Sequence, residues 1–320
     1  MINATEVVSS CLHLSAFAGE VIRQVVHSGA DLGTINKSDV GIAHFDPQTV
    51  ADRRAQQRIV ESLRQFYGES LQIVGEEGHL EPPVPEDVIT PITNLLESAR
   101  NMFIDPKDFI VWIDPLDGTR KFTEKQYDQV SVLIGVSYKG RPLAGVMHLP
   151  FVGSHGTTYY GGPLFKNVFV SVLHCGSKNA QEWEFQPIPV PSPSSSVCWG
   201  ISESACLYIN TLMEDGEKDG TYSRLEKGAT GILILDVVLG NCQVYARWIP
   251  RTKKWDTCVG EAFLLAMGGI VTNIFGEPYE YAFAEELHEN KIGVLASVDR
   301  KVVEQLSTAA RELRDRINNA

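Results

Sequence analysis

Phe109-Ile-Val-Trp-Ile-Asp114-Pro-Leu-Asp117-Gly118-Thr119 joins a run of apolar residues to a sharply polar end. Such a short run reads as a buried strand, and Pro115 reads as its stop, because proline cannot donate to a ladder. Strand ends are where layered α/β folds turn the chain and aim side chains into a crevice. The flanking text repeats this arrangement. Leu71 to Val74 is a second strand-like run that ends abruptly at Gly75-Glu76-Glu77, and Val130 to Tyr138 with Pro142 to Leu149 form a hairpin about Lys139-Gly140-Arg141. Two helical stripes come first. One runs through Val7, Leu12, Ala16, Ala18, Val21, Ile22 and Val25. The other, from about Thr49 to Phe66, sets Ala51, Ala55, Ile59 and Leu63 on one face.

Gly78 to Asp108 is loop-rich and proline-rich, either a surface insertion or a mobile lid beside Glu76. The proline- and serine-rich stretch Gln186 to Ser196 marks the crossing between two domains. Residues 1–185 form an N-terminal α+β domain carrying Asp52, Glu76 and the Asp114–Thr119 motif. Residues 186–320 form a C-terminal α/β domain carrying Asp256 and the substrate-selecting segments. In the second half, strands are expected at Val197 to Ile201, Gln243 to Trp248, Gly269 to Ile274 and Ile292 to Leu295. Helices are expected at about Cys258 to Met267 and Arg300 to Ile317. The class is mixed α and β in layers.

Composition excludes several classes. The 320 residues are 43% hydrophobic and 21% charged, which describes a chain with a sizeable core. Its 28 Lys and Arg against 40 Asp and Glu give a net charge of −12, so a nucleic-acid polymer is not the partner. The six cysteines are scattered without a CxxC pair and read as small buried hydrophobes in a reducing compartment. No membrane span or targeting segment is legible, and a cytoplasmic location is the expectation.

Four acidic segments remain: Asp52, Glu76-Glu77, Asp114-Pro-Leu-Asp117, and Trp255-Asp256 before the Cys258 helix. Taken singly, each has a plain reading as a turn, a helix cap or a surface charge. If they converge, two carboxylates about 4 Å apart repel by roughly 4 kcal/mol at an effective dielectric of 20, and the group requires a cation. Oxygen ligands select a hard divalent ion, and magnesium is expected. A water acidified by that ion would be the nucleophile toward a phosphate ester. Gly118-Thr119 would offer backbone N–H groups to the phosphoryl group, while the Thr119 hydroxyl donates to Asp52 and accepts from the water.

These motifs, in this order, with Ala51-Asp52-Arg53 upstream and Lys253-Lys254-Trp255-Asp256-Thr-Cys258 downstream, resemble the lithium-sensitive, magnesium-dependent inositol monophosphatase superfamily. Asp117-Gly-Thr119-Arg-Lys-Phe122-Thr-Glu124 and Val130-Ser-Val-Leu-Ile-Gly135 are similar to its 3'(2'),5'-bisphosphate nucleotidase branch. The resemblance implies an α-β-α-β-α layered sandwich and hydrolysis of adenosine 3',5'-bisphosphate to AMP. It implies two or three Mg²⁺ ions held by Glu76, Asp114, the Leu116 carbonyl, Asp117 and Asp256, with Asp52 and Thr119 positioning the water. Gly118, Thr119, Ser204 and Lys227 are the expected substrate contacts. The chain departs from the branch at Ile201-Ser202-Glu203-Ser204-Ala205, where Arg and His are expected, and at Gly231, where a lysine is expected and Lys227 or Arg224 would reach in instead. Those changes bring in a second reading, an inositol polyphosphate 1-phosphatase acting on inositol 1,4-bisphosphate. A phosphometabolite-binding pseudophosphatase would have lost a ligand carboxylate, and all five acids are present. A small phosphorylated metabolite is the expected partner.

Overall fold

Helix caps set the first landmarks. After β1 (Ile2–Asn3), α1 (Ala4–Ser28) starts where the Asn3 side chain accepts from the Thr5 N–H, and it stops at left-handed Gly29. After β2 (Ile35–Asn36) and β3 (Pro47–Gln48), α2 (Val50–Tyr67) starts at Thr49, whose N–H donates to the Asp52 carboxylate across 2.8 Å. There follow β4 (Gln72–Gly75), β5 (Phe103–Ile104), β6 (Phe109–Asp117), the short α3 (Thr119–Thr123), β7 (Ser131–Tyr138) and β8 (Arg141–Leu149). The first half closes with β9 (Thr157–Gly162), β10 (Asn167–Leu173) and β11 (Glu184–Pro187). The second half runs β12 (Val197–Ser202), α4 (Leu207–Asp219), β13 (Tyr222–Lys227), α5 (Thr230–Leu239), β14 (Val244–Arg247) and α6 (Lys254–Ala266). It ends with β15 (Ile270–Thr272), β16 (Val294–Ser297) and α7 (Arg300–Asn318). This computed structural model describes residues 1–37, 45–78, 80, 82–96, 99–173, 183–192, 194, 196–203 and 206–319.

The elements stack in five layers. Helices α1 and α2 cover one face of a seven-stranded sheet ordered β11-β10-β9-β8-β7-β6-β4. On its other face lie α5 and α6, which also pack on a five-stranded sheet ordered β13-β12-β14-β16-β15. Helices α4 and α7 close the far side of the smaller sheet. The architecture is the α-β-α-β-α sandwich that the resemblance implies. The chain leaves the large sheet at Pro187 and enters the small one at Val197, yet α5 and α6 from the second half share a core with Leu133, Met147 and Val168 from the first.

Helix α5 sits between two sheets and is apolar on most of its circumference: Ile232, Leu233, Ile234, Leu235, Val237 and Val238 are all buried, and Asp236 is its one charged residue. Each such side chain contributes about 1.5–3 kcal/mol. Helix α6 lies tight on the large sheet because Gly145 has no side chain; a Cβ there would stand 2.8 Å from the Val259 Cα.

Two expectations change. The strand does not stop at Pro115: β6 continues to Asp117, with its register on β7 shifting between Asp114–Leu133 and Asp117–Ser131. Proline's missing donor is absorbed in that bulge, where no ladder bond is needed. Helix α6 begins at Lys254, so Asp256 lies inside its first turn rather than ahead of the helix. The described part of the 78–108 segment is tied down: Ser9 Oγ donates to the Ile92 carbonyl, Arg58 Nε bonds Asp87 at 3.1 Å, and β5 pairs with β1. Its start runs beside Glu76, where Gly78 and Leu80 line a smaller cleft with Glu76 and Trp255.

Candidate active site

Two parallel strands bring the first carboxylates together. Gly75 at the end of β4 pairs beside Ile113 in β6, and the Glu76 N–H donates to the Ile113 carbonyl across 3.0 Å. Glu76 therefore emerges next to Asp114. The bulge then carries Asp117 back toward the same space, and α6 supplies Asp256. Carboxylate oxygens of Asp114, Asp117 and Asp256 lie within 4.8 Å of one another, and Asp114 and Asp117 are buried. Two of the four acidic segments thus meet at one centre, and Glu76 lines the same cleft.

Each acid is held by a donor that leaves it aimed at the centre. Asp117 Oδ2 accepts from the Gly231 N–H at 2.8 Å and from Ser131 Oγ at 3.3 Å. Asp256 Oδ2 accepts from the Lys253 N–H at 2.7 Å, and Asp114 Oδ1 from the Leu116 N–H at 3.0 Å. Asp52 is wholly buried; its Oδ1 accepts from Thr119 Oγ1 at 2.8 Å, and that same hydroxyl lies 3.0 Å from the Leu116 carbonyl. Asp52, Thr119, Gly231 and Asp256 all sit in first turns of helices, where free N–H groups and the positive dipole end favour negative charge.

Crowding shows in the acidities. Burial, and then the neighbouring charge of Glu76, Asp117 and Asp256, pushes Asp114 well above the usual carboxylate range. Burial likewise pushes Asp117 and Asp256 up to about 7, against the bonds from Gly231 and Lys253 that pull them down. Asp52 is raised to about 7 by burial and then by the Glu77 charge. Glu76 is raised by burial, with Lys37 opposing: Lys37 Nζ is 2.7 Å from Glu76 Oε1 and 3.3 Å from Glu77 Oε1. An all-oxygen set of buried and half-buried carboxylates, raised by burial and then by mutual repulsion, fits a hard divalent cation.

The acids line a cleft of about 710 Å³, within the range of small-metabolite sites. Gly118 and Thr119 form its floor with Leu116, and Gly118 caps α3 at φ +89°. A Cβ at Gly118 would meet the Gln129 carbonyl at 2.4 Å. The two lysine-side expectations resolve differently. Lys227 Nζ turns away to Asp236 at 2.6 Å, and Arg224 lies on the outside, bonding Glu217 and Asn210. Ser204 lies outside the described residues. Gly231, read as a missing lysine, is instead a donor to Asp117, and a Cβ there would stand 2.6 Å from the Asp117 oxygen. Arg247 and Arg251 also line the cleft, beside Lys253 of the Lys253–Cys258 motif, and carry no sequence motif of their own. Their common signal is position between a strand and the Trp255-Asp256 helix.

The inositol monophosphatase family model matches residues 4–314. The chain belongs to the inositol monophosphatase family. It is 32% identical to human 3'(2'),5'-bisphosphate nucleotidase 1 over 298 residues, covering 91% of this chain and 90% of that protein. The nucleotidase 1 of Dictyostelium discoideum is 30% identical over 309 residues, covering 93% and 94%. Among solved structures, CysQ from Bacteroides thetaiotaomicron, a bacterial member of the inositol monophosphatase family, superimposes with TM-score 0.64 at 23% identity, covering 91% and 96%. As a member of this family with nucleotidase relatives, the chain is a phosphoric monoester hydrolase acting on small phosphorylated metabolites. Among the described residues no helix is long and apolar enough to cross a membrane.

Proposed function

We propose that the chain is a magnesium-dependent 3'(2'),5'-bisphosphate nucleotidase that releases the 3'-phosphate of adenosine 3',5'-bisphosphate. The convergence of Asp114, Asp117 and Asp256 on one centre beside the Thr119–Asp52 pair supports it most strongly, and the relatives' names supply the substrate class.

Glu76, Asp114, Asp117, Asp256 and the Leu116 carbonyl would hold the metal ions. When bound, Mg²⁺ supplies charge stabilisation of phosphoryl oxygens and lowers the pKa of a coordinated water. The chain's own residues do the rest. Thr119 directs its proton at Asp52 and Leu116, so its lone pairs are left to accept from a water in the cleft. Buried Asp52, fixed by Thr49, holds that hydroxyl in one rotamer and thereby orients the water for in-line attack. The Gly118 and Thr119 backbone at the start of α3 faces the phosphoryl oxygens.

Phosphate release from adenosine 3',5'-bisphosphate with Mg²⁺, with EDTA as control, tests the reading. Inositol 1,4-bisphosphate is the counter-substrate, because Glu203 in the cleft wall stands where the nucleotidase resemblance calls for an arginine. A more than tenfold preference for the inositol compound would replace the nucleotidase with an inositol polyphosphate 1-phosphatase. No release from either compound would overturn both.

A further inference from the structure

The cleft walls differ in free charge. On the side of β12 and α3, Lys121 Nζ lies 2.7 and 2.6 Å from the two oxygens of Glu203 and 2.9 Å from Glu124, which neutralises it. On the side between β14 and α6, three cations line the same cleft: Arg247, Arg251 and Lys253. Among the described residues neither arginine has an ion-pair partner, and Lys253 has only Glu289 at 3.8 Å. Such a cluster runs against a chain whose net charge is −12.

Arg247 stands out within it. It ends β14, where its backbone pairs with Val294 of β16, so its origin is fixed by two strands. The guanidinium meets the Tyr245 hydroxyl, but its Nε is buried and has no hydrogen-bond partner, a state that costs free energy unless a ligand supplies the acceptor. It lines the same cleft as Asp256 and Asp114. A guanidinium is a planar fork of donors matched to two oxygens of one phosphate.

We propose that Arg247, with Arg251, forms a second anion subsite that binds a further phosphate group on the substrate whose scissile phosphate sits at the Asp114–Asp117–Asp256 centre. The proposal rests on the phosphomonoesterase reading above and deepens it: the residues that select the second phosphate lie at the end of β14 and on the β14–α6 connection rather than at position 203, where Glu203 and Lys121 cancel each other's charge.

Steady-state kinetics on adenosine 3',5'-bisphosphate and on adenosine 3'-monophosphate, with Mg²⁺, test it in wild type, Arg247→Met, Arg247→Lys and Arg251→Met. The wild type prefers the bisphosphate in kcat/KM. In Arg247→Met that preference falls at least about tenfold, chiefly through KM, and Arg247→Lys lies between because it keeps charge but loses the fork. Should Arg247→Met fail to fold, Arg247→Lys and Arg251→Met carry the same comparison. A preference unchanged in the arginine variants, or a wild type with none, overturns the subsite and leaves the phosphatase standing. Release of phosphate from neither nucleotide overturns the nucleotidase reading and the subsite together.

Discussion

Thr119 Oγ1 donates to Oδ1 of Asp52 across 2.8 Å, tying the first turn of α3 to the first turn of α2 over 67 residues of chain. Both ends are braced, Asp52 by the Thr49 N–H at 2.8 Å and Thr119 by the Leu116 carbonyl at 3.0 Å. A bond so placed fixes a hydroxyl at the edge of the acid cluster. Thr119→Ala is expected to lower kcat by about a hundredfold or more while KM changes little, since the lost group acts on water rather than on substrate. Thr119→Ser, which keeps the hydroxyl, should remain far closer to wild type. Equal losses in the two variants would remove the hydroxyl from the mechanism.

Gly118 places that threonine. Its φ of +89° costs any other residue about 1–2 kcal/mol, and a Cβ would meet the Gln129 carbonyl at 2.4 Å. Gly118→Ala should therefore lower the melting temperature by at least about 2–4 °C and reduce kcat with it. A variant with wild-type stability and rate would show that the α3 entry tolerates a side chain.

Asp114 carries an opposite pair of consequences. Asp114→Asn should lower activity more than about a hundredfold, because it removes the charge that faces Glu76, Asp117 and Asp256 at the centre. In EDTA the same substitution should stabilise the protein by about 1–3 kcal/mol, because it relieves repulsion among buried carboxylates. Near-normal turnover would refute the assignment, and a fall in metal-free stability would refute the repulsion.

Lithium offers an independent check on the ion positions. The carboxylates of Asp117 and Asp256, grouped with Asp114 in the cleft, would form part of the shell of an ion facing the leaving group. Competition there predicts inhibition by lithium at submillimolar to millimolar concentration, measured as loss of phosphate release at fixed Mg²⁺. Full activity in high lithium would move the assignment elsewhere.

How far the sequence carries is clearest at particular residues. Phe109 to Ile113 and Val130 to Tyr138 were legible as strands because apolar runs of that length belong to buried sheet. The extension of β6 through Pro115 was not, because a bulge is set by pairing with Ser131 and Leu133, far along the chain. Helix α5 gives no amphipathic stripe, because apolar residues occupy most of its circumference; the presence of a second sheet explains that pattern. The acid cluster was legible as motifs, while its supports were not. Gly231 gives no chemical signal until its N–H is seen 2.8 Å from Asp117, and the pairing of Lys227 with Asp236 in α5 is set by how β13 and α5 meet.

The acid cluster also sets how stability depends on pH and metal. Asp52, Asp117 and Asp256 have folded-state values near 7, raised first by burial, against an ordinary value of 3.8. The folded protein thus binds more protons than the unfolded chain between about pH 4 and 7, so the metal-free protein loses stability as pH rises through that window. A divalent cation binds the deprotonated carboxylates of the folded state and competes with those protons. Thermal unfolding in EDTA should therefore show a melting temperature that falls from pH 5 to pH 8, and the rise on adding Mg²⁺ should be larger at pH 8. Asp114→Asn should flatten both trends by removing one of the interacting charges. A Mg²⁺ gain that is equal at the two pH values would mean the ion binds somewhere other than these carboxylates.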